Sequence, residues 1–98
     1  MIDNFPIGKL SKVAMTTITS TQDLGAEIRA ARKQLGLTQS DLALAAGVGL
    51  RFIVDLESGK PTVRLEQVLR VIDSLGGNIT ITGFGSTQQV DNGTKRGE

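Results

Sequence analysis

The chain has no cysteine, no histidine, no tryptophan and no tyrosine among its 98 residues. Without cysteine there is no disulfide, thiolate metal site or cysteine nucleophile. Without histidine the usual zinc ligand and the usual general base are missing, and with them any Ser-His-Asp triad. Three Phe are the whole aromatic content, so a core must be built from Leu, Ile, Val and Ala. No apolar run approaches the ~18 residues of a membrane span. The first residues lack a charged start followed by an apolar stretch and do not read as a secretory signal; a cytoplasmic location is the expectation. A charge excess is lacking too: 11 Lys+Arg face 10 Asp+Glu, for a net +1. Bulk charge therefore points neither toward nucleic acid nor away from it. No acidic pair has metal-ligand spacing, and GVG at 47–49 and GFG at 83–85 lack the Lys-Ser/Thr of a phosphate loop. Neither catalysis, metal nor cofactor is expected.

What remains is one domain with two polar ends. Residues 1–19 have mixed polarity with Pro6 and Gly8 as breakers, and read as a partly disordered arm. Met15 is a second candidate start. Residues 85–98 are polar and poor in large apolar groups, the composition of a disordered tail. Between them, residues 20–76 are dense in helical signals. Ser20 and Asp23 have capping-box spacing, followed by a stripe of Leu24, Ile28, Ala31 and Leu35 that Gly36 ends. Thr38 and Asp41 open a short second helix through Ala46, with Leu42, Ala45 and Ala46 available to pack. Gly47-Val48-Gly49 breaks it. A third short helix, 50–57, turns Ile53 and Leu56 inward. Thr62 is the expected cap of a fourth, with Leu65, Val68, Leu69, Ile72 and Leu75 as its apolar face. Residues 77–84 then alternate, Ile79 and Ile81 against Asn78, Thr80 and Thr82, as a half-buried strand does.

The second and third helices carry the functional signal. Each is about two turns, too short to stand alone, and a glycine-containing turn joins them. That is the helix-turn-helix layout, whose second helix enters the DNA major groove. An ordinary bundle of short helices uses the same turn, and the spacing alone does not choose between the two.

Particular residues do choose. LTQSDLA at 37–43, the AAGV turn at 45–48 and Leu56-Glu57-Ser58-Gly59-Lys60 resemble the Xre-type, phage-repressor-like helix-turn-helix family across residues 20–76. ESGKPTVRLEQVL at 57–69, followed by a short strand, resembles more specifically the HipB-like antitoxins. Those are autorepressing partners of HipA-type Ser/Thr kinase toxins. The resemblance implies an all-α fold: a four- to five-helix domain with a short C-terminal β-strand at 77–84 that pairs across a homodimer. It implies a repressor of its own operon that reads palindromic double-stranded DNA and binds a HipA-like kinase. The alternatives are a solitary phage-type regulator, and an interaction module whose main task is to neutralise a kinase.

The resemblance also distributes roles. It places Gln39 against the DNA backbone, bracing a base-reading side chain, with Ser40 as a phosphate contact. It maps Gly49, Leu50, Arg51, Phe52 and Asp55 onto the exposed face of the recognition helix. Arg51 is the candidate base reader, since a guanidinium pairs bidentately with guanine; a phosphate contact is its equal alternative. Leu50 is suited to a thymine methyl. Phe52 either touches a methyl or packs on the first helix. Many relatives have polar readers where this chain has apolar ones. Lys60, Thr62 and Arg64 surround the start of the fourth helix as a phosphate clamp. Arg32 and Glu57 are carried over as a salt bridge tying the first helix to the end of the third. The strand needs a partner for its backbone groups: Thr16–Thr19 of the arm or, preferred, the same strand of a second copy through Ile79, Thr80, Ile81 and Thr82.

Overall fold

The computed structural model describes residues 15–85. The outer parts of the arm and tail, 1–14 and 86–98, lie outside the described residues. Four helices follow one another: α1, Thr21–Gln34; α2, Gln39–Ala46; α3, Leu50–Ser58; and α4, Leu65–Ser74. Helix α1 packs on α3, and α2 packs on both α3 and α4.

Local chemistry sets most boundaries. At α2 the capping box is complete: Thr38 Oγ1 accepts from the Asp41 N–H at 3.0 Å, and Asp41 Oδ2 accepts from the Thr38 N–H at 2.9 Å. At α1 only half of it forms. Ser20 Oγ accepts from the Asp23 N–H at 3.0 Å, but the Asp23 carboxylate reaches one residue further back, to the N–H and hydroxyl of Thr19 at 3.0 and 2.9 Å. These hydrogen bonds to Thr19 hold the Asp23 carboxyl below its ordinary range, and those to Thr38 do the same for Asp41. Gly47 and Gly59 close α2 and α3 in the left-handed conformation, φ 71° and 87°, which a side chain would strain.

The core is aliphatic: Ile28, Leu42, Ala43, Ala46, Ile53, Leu56, Val68 and Val71. Leu24, Val48, Phe52, Val63, Ile72 and Leu75 pack around it. Several expected core positions are displaced. Leu35 caps the end of α1 and is exposed. The buried residues of that helix are Gly25, Ile28 and Arg32; Ile28 is shared with the apolar stripe, whose Leu24 and Ala31 are half-buried. Ala43, not Ala45, is buried in α2. On α4, Val68 and Val71 face inward while Leu65 and Leu69 lie on the exposed flank. Thr62 does not cap α4: the helix starts three residues later, with Arg64 as N-cap and no side-chain acceptor. Val63, tucked against the core, uses up the residues between.

The expected strand at 77–84 does not form within the single chain. Residues 77–82 belong to no helix and no strand, and among the described residues no strand is present. A strand needs a ladder partner, and the arm segment 15–19 does not supply one within this chain.

Candidate nucleic-acid interface

One buried polar cluster fixes where α3 sits. Arg32, in the last turn of α1, meets Glu57, in the last turn of α3, through a two-pronged pair: Nε to Oε2 at 2.6 Å and Nη2 to Oε1 at 3.0 Å. The third guanidinium nitrogen, Nη1, donates to the Leu37 carbonyl at 2.8 Å, in the connection to α2. Gln39, the first residue of α2, donates from Nε2 to Glu57 Oε1 at 3.1 Å. Only 9% and 4% of the Arg32 and Glu57 side chains reach solvent. Hydrogen bonding to Glu57 holds the Arg32 guanidinium above its already high ordinary range. Three helices therefore meet on one carboxylate. A buried pair is a weak source of net stability but a strong one of defined geometry, because leaving either charge unpaired costs several kcal/mol. In the free chain Gln39 braces that carboxylate.

The backbones of α1 and α3 also touch. A Cβ on Gly25 would meet the Leu56 carbonyl oxygen and lie 2.8 Å from that of Glu57. Thr21 Oγ1 donates to the Gly59 carbonyl at 2.7 Å, tying the start of α1 to the end of α3. Neither contact figures among the sequence expectations. The signal for Gly25 was present: a glycine inside a helix costs about 1 kcal/mol against alanine, so it marks a packing reason. The Thr21 contact has no local signature.

The latch leaves the opposite side of α3 open. Gly49 is its N-cap and carries no side-chain acceptor. Ser40, Gly49, Leu50 and Arg51 are exposed, and 85% of the Arg51 side chain faces solvent. Phe52 is half-buried and packs against the core. Asp55 is half-buried one turn beyond Arg51, its Oδ1 3.3 Å from Arg51 Nε and its Oδ2 3.5 Å from Lys60 Nζ. Thr62 and Arg64 are exposed before α4. Arg70 steadies the turn between α2 and α3 from behind, donating to the Gly47 carbonyl at 3.4 Å and to Glu66 at 2.9 Å. Two short helices with a fixed angle, the second offering its N-terminal half outward, are what a major groove accepts. Among the described residues no three acidic side chains gather as a metal site, and no helix is long and apolar enough to cross a membrane.

Comparison with known proteins agrees with that geometry. The helix-turn-helix family pattern matches residues 28–81. The chain belongs to the helix-turn-helix family. Within that family it is of the Xre type and similar to HipB antitoxins. An HTH-type transcriptional regulator of Sinorhizobium fredii, y4mF, is 49% identical over 72 residues, spanning 74% of this chain and 95% of that protein. HipB in a complex with an O4 20mer superposes with a TM-score of 0.66 at 26% identity, over 70% of this chain and 97% of HipB. HipB in a HipA-HipB-O2-O3 complex gives the same four values. The helix-turn-helix chain described here is thus a transcriptional regulator, like its relatives.

Proposed function

We propose that the chain is a sequence-specific repressor that binds palindromic double-stranded DNA as a homodimer and serves as antitoxin to a HipA-like Ser/Thr kinase, repressing the operon that encodes both. The observation that carries the DNA part is the exposed N-terminal half of α3, held by the buried Arg32–Glu57–Gln39 cluster. Residues 20–76 hold seven cations and seven acids, so affinity depends on position. Arg51 lies on the exposed face; Lys60 and Arg64 flank the start of α4.

The dimer part is supported by residues 77–84. Ile79, Ile81 and Phe84 are exposed in the single chain, and among the described residues the backbone there has no ladder partner. Antiparallel pairing through Ile79, Thr80, Ile81 and Thr82 with a second copy would join those backbone groups. Two recognition helices about 34 Å apart would then meet successive major grooves. The kinase partner is supported by the likeness to HipB in its complex with HipA. The higher identity to a protein named as a transcriptional regulator favours a second reading, a regulator acting without a toxin.

The test is selection of bound sequences from randomised duplexes, then gel shifts at fixed salt. Arg51→Ala is expected to cost about 1–3 kcal/mol on the selected site and to relax preference at one base pair. Lys60→Ala is expected to weaken all duplexes alike and to lower the salt slope by about one. Unchanged affinity of both variants overturns the DNA reading. Purification from native cells, scored for a co-purifying kinase, separates the antitoxin from the solitary regulator.

A further inference from the structure

Asp55 is an acid placed where an acid should be unwelcome. It sits on the face of α3 that the DNA reading turns toward a polyanion, and it holds two of the cations on that face. Its Oδ1 is 3.3 Å from Arg51 Nε, and its Oδ2 is 3.5 Å from Lys60 Nζ. The backbone reinforces the position: the Asp55 carbonyl accepts from the Lys60 N–H at 3.0 Å and from Ser58 Oγ at 2.8 Å. Asp55 is only 19% exposed on its side chain, while Arg51 is 85% exposed. The acid is set back and the arginine projects past it.

The atoms involved matter. Asp55 Oδ1 lies 3.3 Å from Nε of Arg51, an ion pair on the inner side of a guanidinium whose side chain is 85% exposed. The two terminal nitrogens of a guanidinium are the pair that meets guanine O6 and N7 end-on. A carboxylate beside Nε biases the guanidinium toward one direction while leaving its terminal nitrogens on the solvent side. The same carboxylate counts against phosphate. On an unmatched duplex, where Arg51 and Lys60 would have only phosphates to meet, they must share their charge with Asp55, and the carboxylate itself repels the backbone.

We propose that Asp55 is a specificity-determining positioning residue: it aims Arg51 at a base edge and suppresses binding of Arg51 and Lys60 to phosphate alone. The proposal rests on the DNA reading above. It predicts that the acid weakens non-specific binding more than specific binding, so that discrimination, not affinity, is what it supplies.

The experiment compares the full chain with Asp55→Asn and Asp55→Glu on two duplexes: the site selected by the wild-type protein, and a scrambled sequence of equal length. Asp55→Asn removes one negative charge. It is expected to bind the scrambled duplex about fivefold tighter near 0.15 M salt, with the salt slope steeper by about one. On the selected site it gains less or loses affinity, so the ratio of the two falls. Asp55→Glu keeps the charge but moves it outward. It is expected to keep the wild-type slope and lose part of the discrimination. An unchanged ratio in Asp55→Asn, or a slope that steepens equally in Asp55→Glu, overturns the proposal. Thermal melts of each variant show whether the helices are intact. A wild-type protein that selects no sequence at all overturns the DNA reading, a different failure from an unchanged ratio.

Discussion

The junction of α1 with α3 and the segment 77–84 are opposites. At the junction both Glu57 carboxylate oxygens accept hydrogen bonds, glycine brings two backbones into contact, and little of the ion pair reaches solvent. In the segment Ile79, Ile81 and Phe84 stand exposed and the backbone forms no ladder with any of the described residues. The difference teaches where the molecule is self-sufficient. One chain suffices to set the recognition helix at its angle. The described residues do not bury the C-terminal apolar side chains. Presenting α3 needs only one chain; the proposed pairing of two chains would fall to the C-terminal segment.

The comparison breaks most sharply at Thr80. Thr80→Pro removes a ladder donor, and is expected to abolish dimerisation while helical content, read by circular dichroism, stays unchanged. Analytical ultracentrifugation checks it; a variant that remains a dimer shows that 77–84 is not the dimer element. Next in size is Glu57→Gln. It leaves Arg32 buried without its charge partner and is expected to cost about 3–5 kcal/mol in urea unfolding. A shift within error would make the junction no more than a surface pair, worth under about 1 kcal/mol. Gly25→Ala sharpens the packing half of the comparison. Alanine gains helix propensity, but its methyl meets the Leu56 carbonyl, so a net loss of about 1–3 kcal/mol is expected from the overpacking. A more stable variant would mean that α1 and α3 part easily.

The smallest expected effect is on pH dependence. Asp23 and Asp41 titrate below the ordinary value of 3.8 in the folded chain. The unfolded chain therefore takes up their protons first as pH falls. Their contribution is whole above 3.8 and is lost as pH drops through the depressed folded values. Melts in steps from neutral pH downward should show the loss setting in near pH 4, and Asp41→Asn should flatten part of it. The junction between Arg32 and Glu57 should not share in the Asn effect, since neither residue is changed.

Much of the fold was legible. The four helices, the turn at Gly47–Gly49 and the Thr38–Asp41 capping box follow from spacing and from residues that act on their immediate neighbours. The departures share one cause. Leu35 was counted on the stripe because the period ran through it, yet α1 has already ended there. Thr62 was read as a cap because threonine caps helices, yet Val63 is drawn to the core and postpones α4. A period has no knowledge of where a helix stops. Position 32 shows the same limit from the other side. An arginine on the buried face contradicts any hydrophobic stripe, and only a carboxylate 25 residues away makes it tolerable. The family resemblance placed that pair; polarity alone would have put both residues on the surface. Residues 77–84 alternate as a strand does, but alternation describes side chains, and a strand is completed by a partner's backbone, which the single chain does not supply among the described residues.

By itself, then, the sequence determined what is local: the absence of histidine and cysteine chemistry, helices short enough to need one another, and caps whose donors and acceptors lie within four residues. Tertiary structure alone decided which of two neighbouring helix faces is buried, that Gly25 exists for the approach of α3, that Gln39 is spent on Glu57, and that Asp55 lies between Arg51 and Lys60. The physical reason is range. Capping and periodicity act over one or two turns of chain, whereas desolvation and ion pairing depend on which groups from distant parts of the chain share the same space.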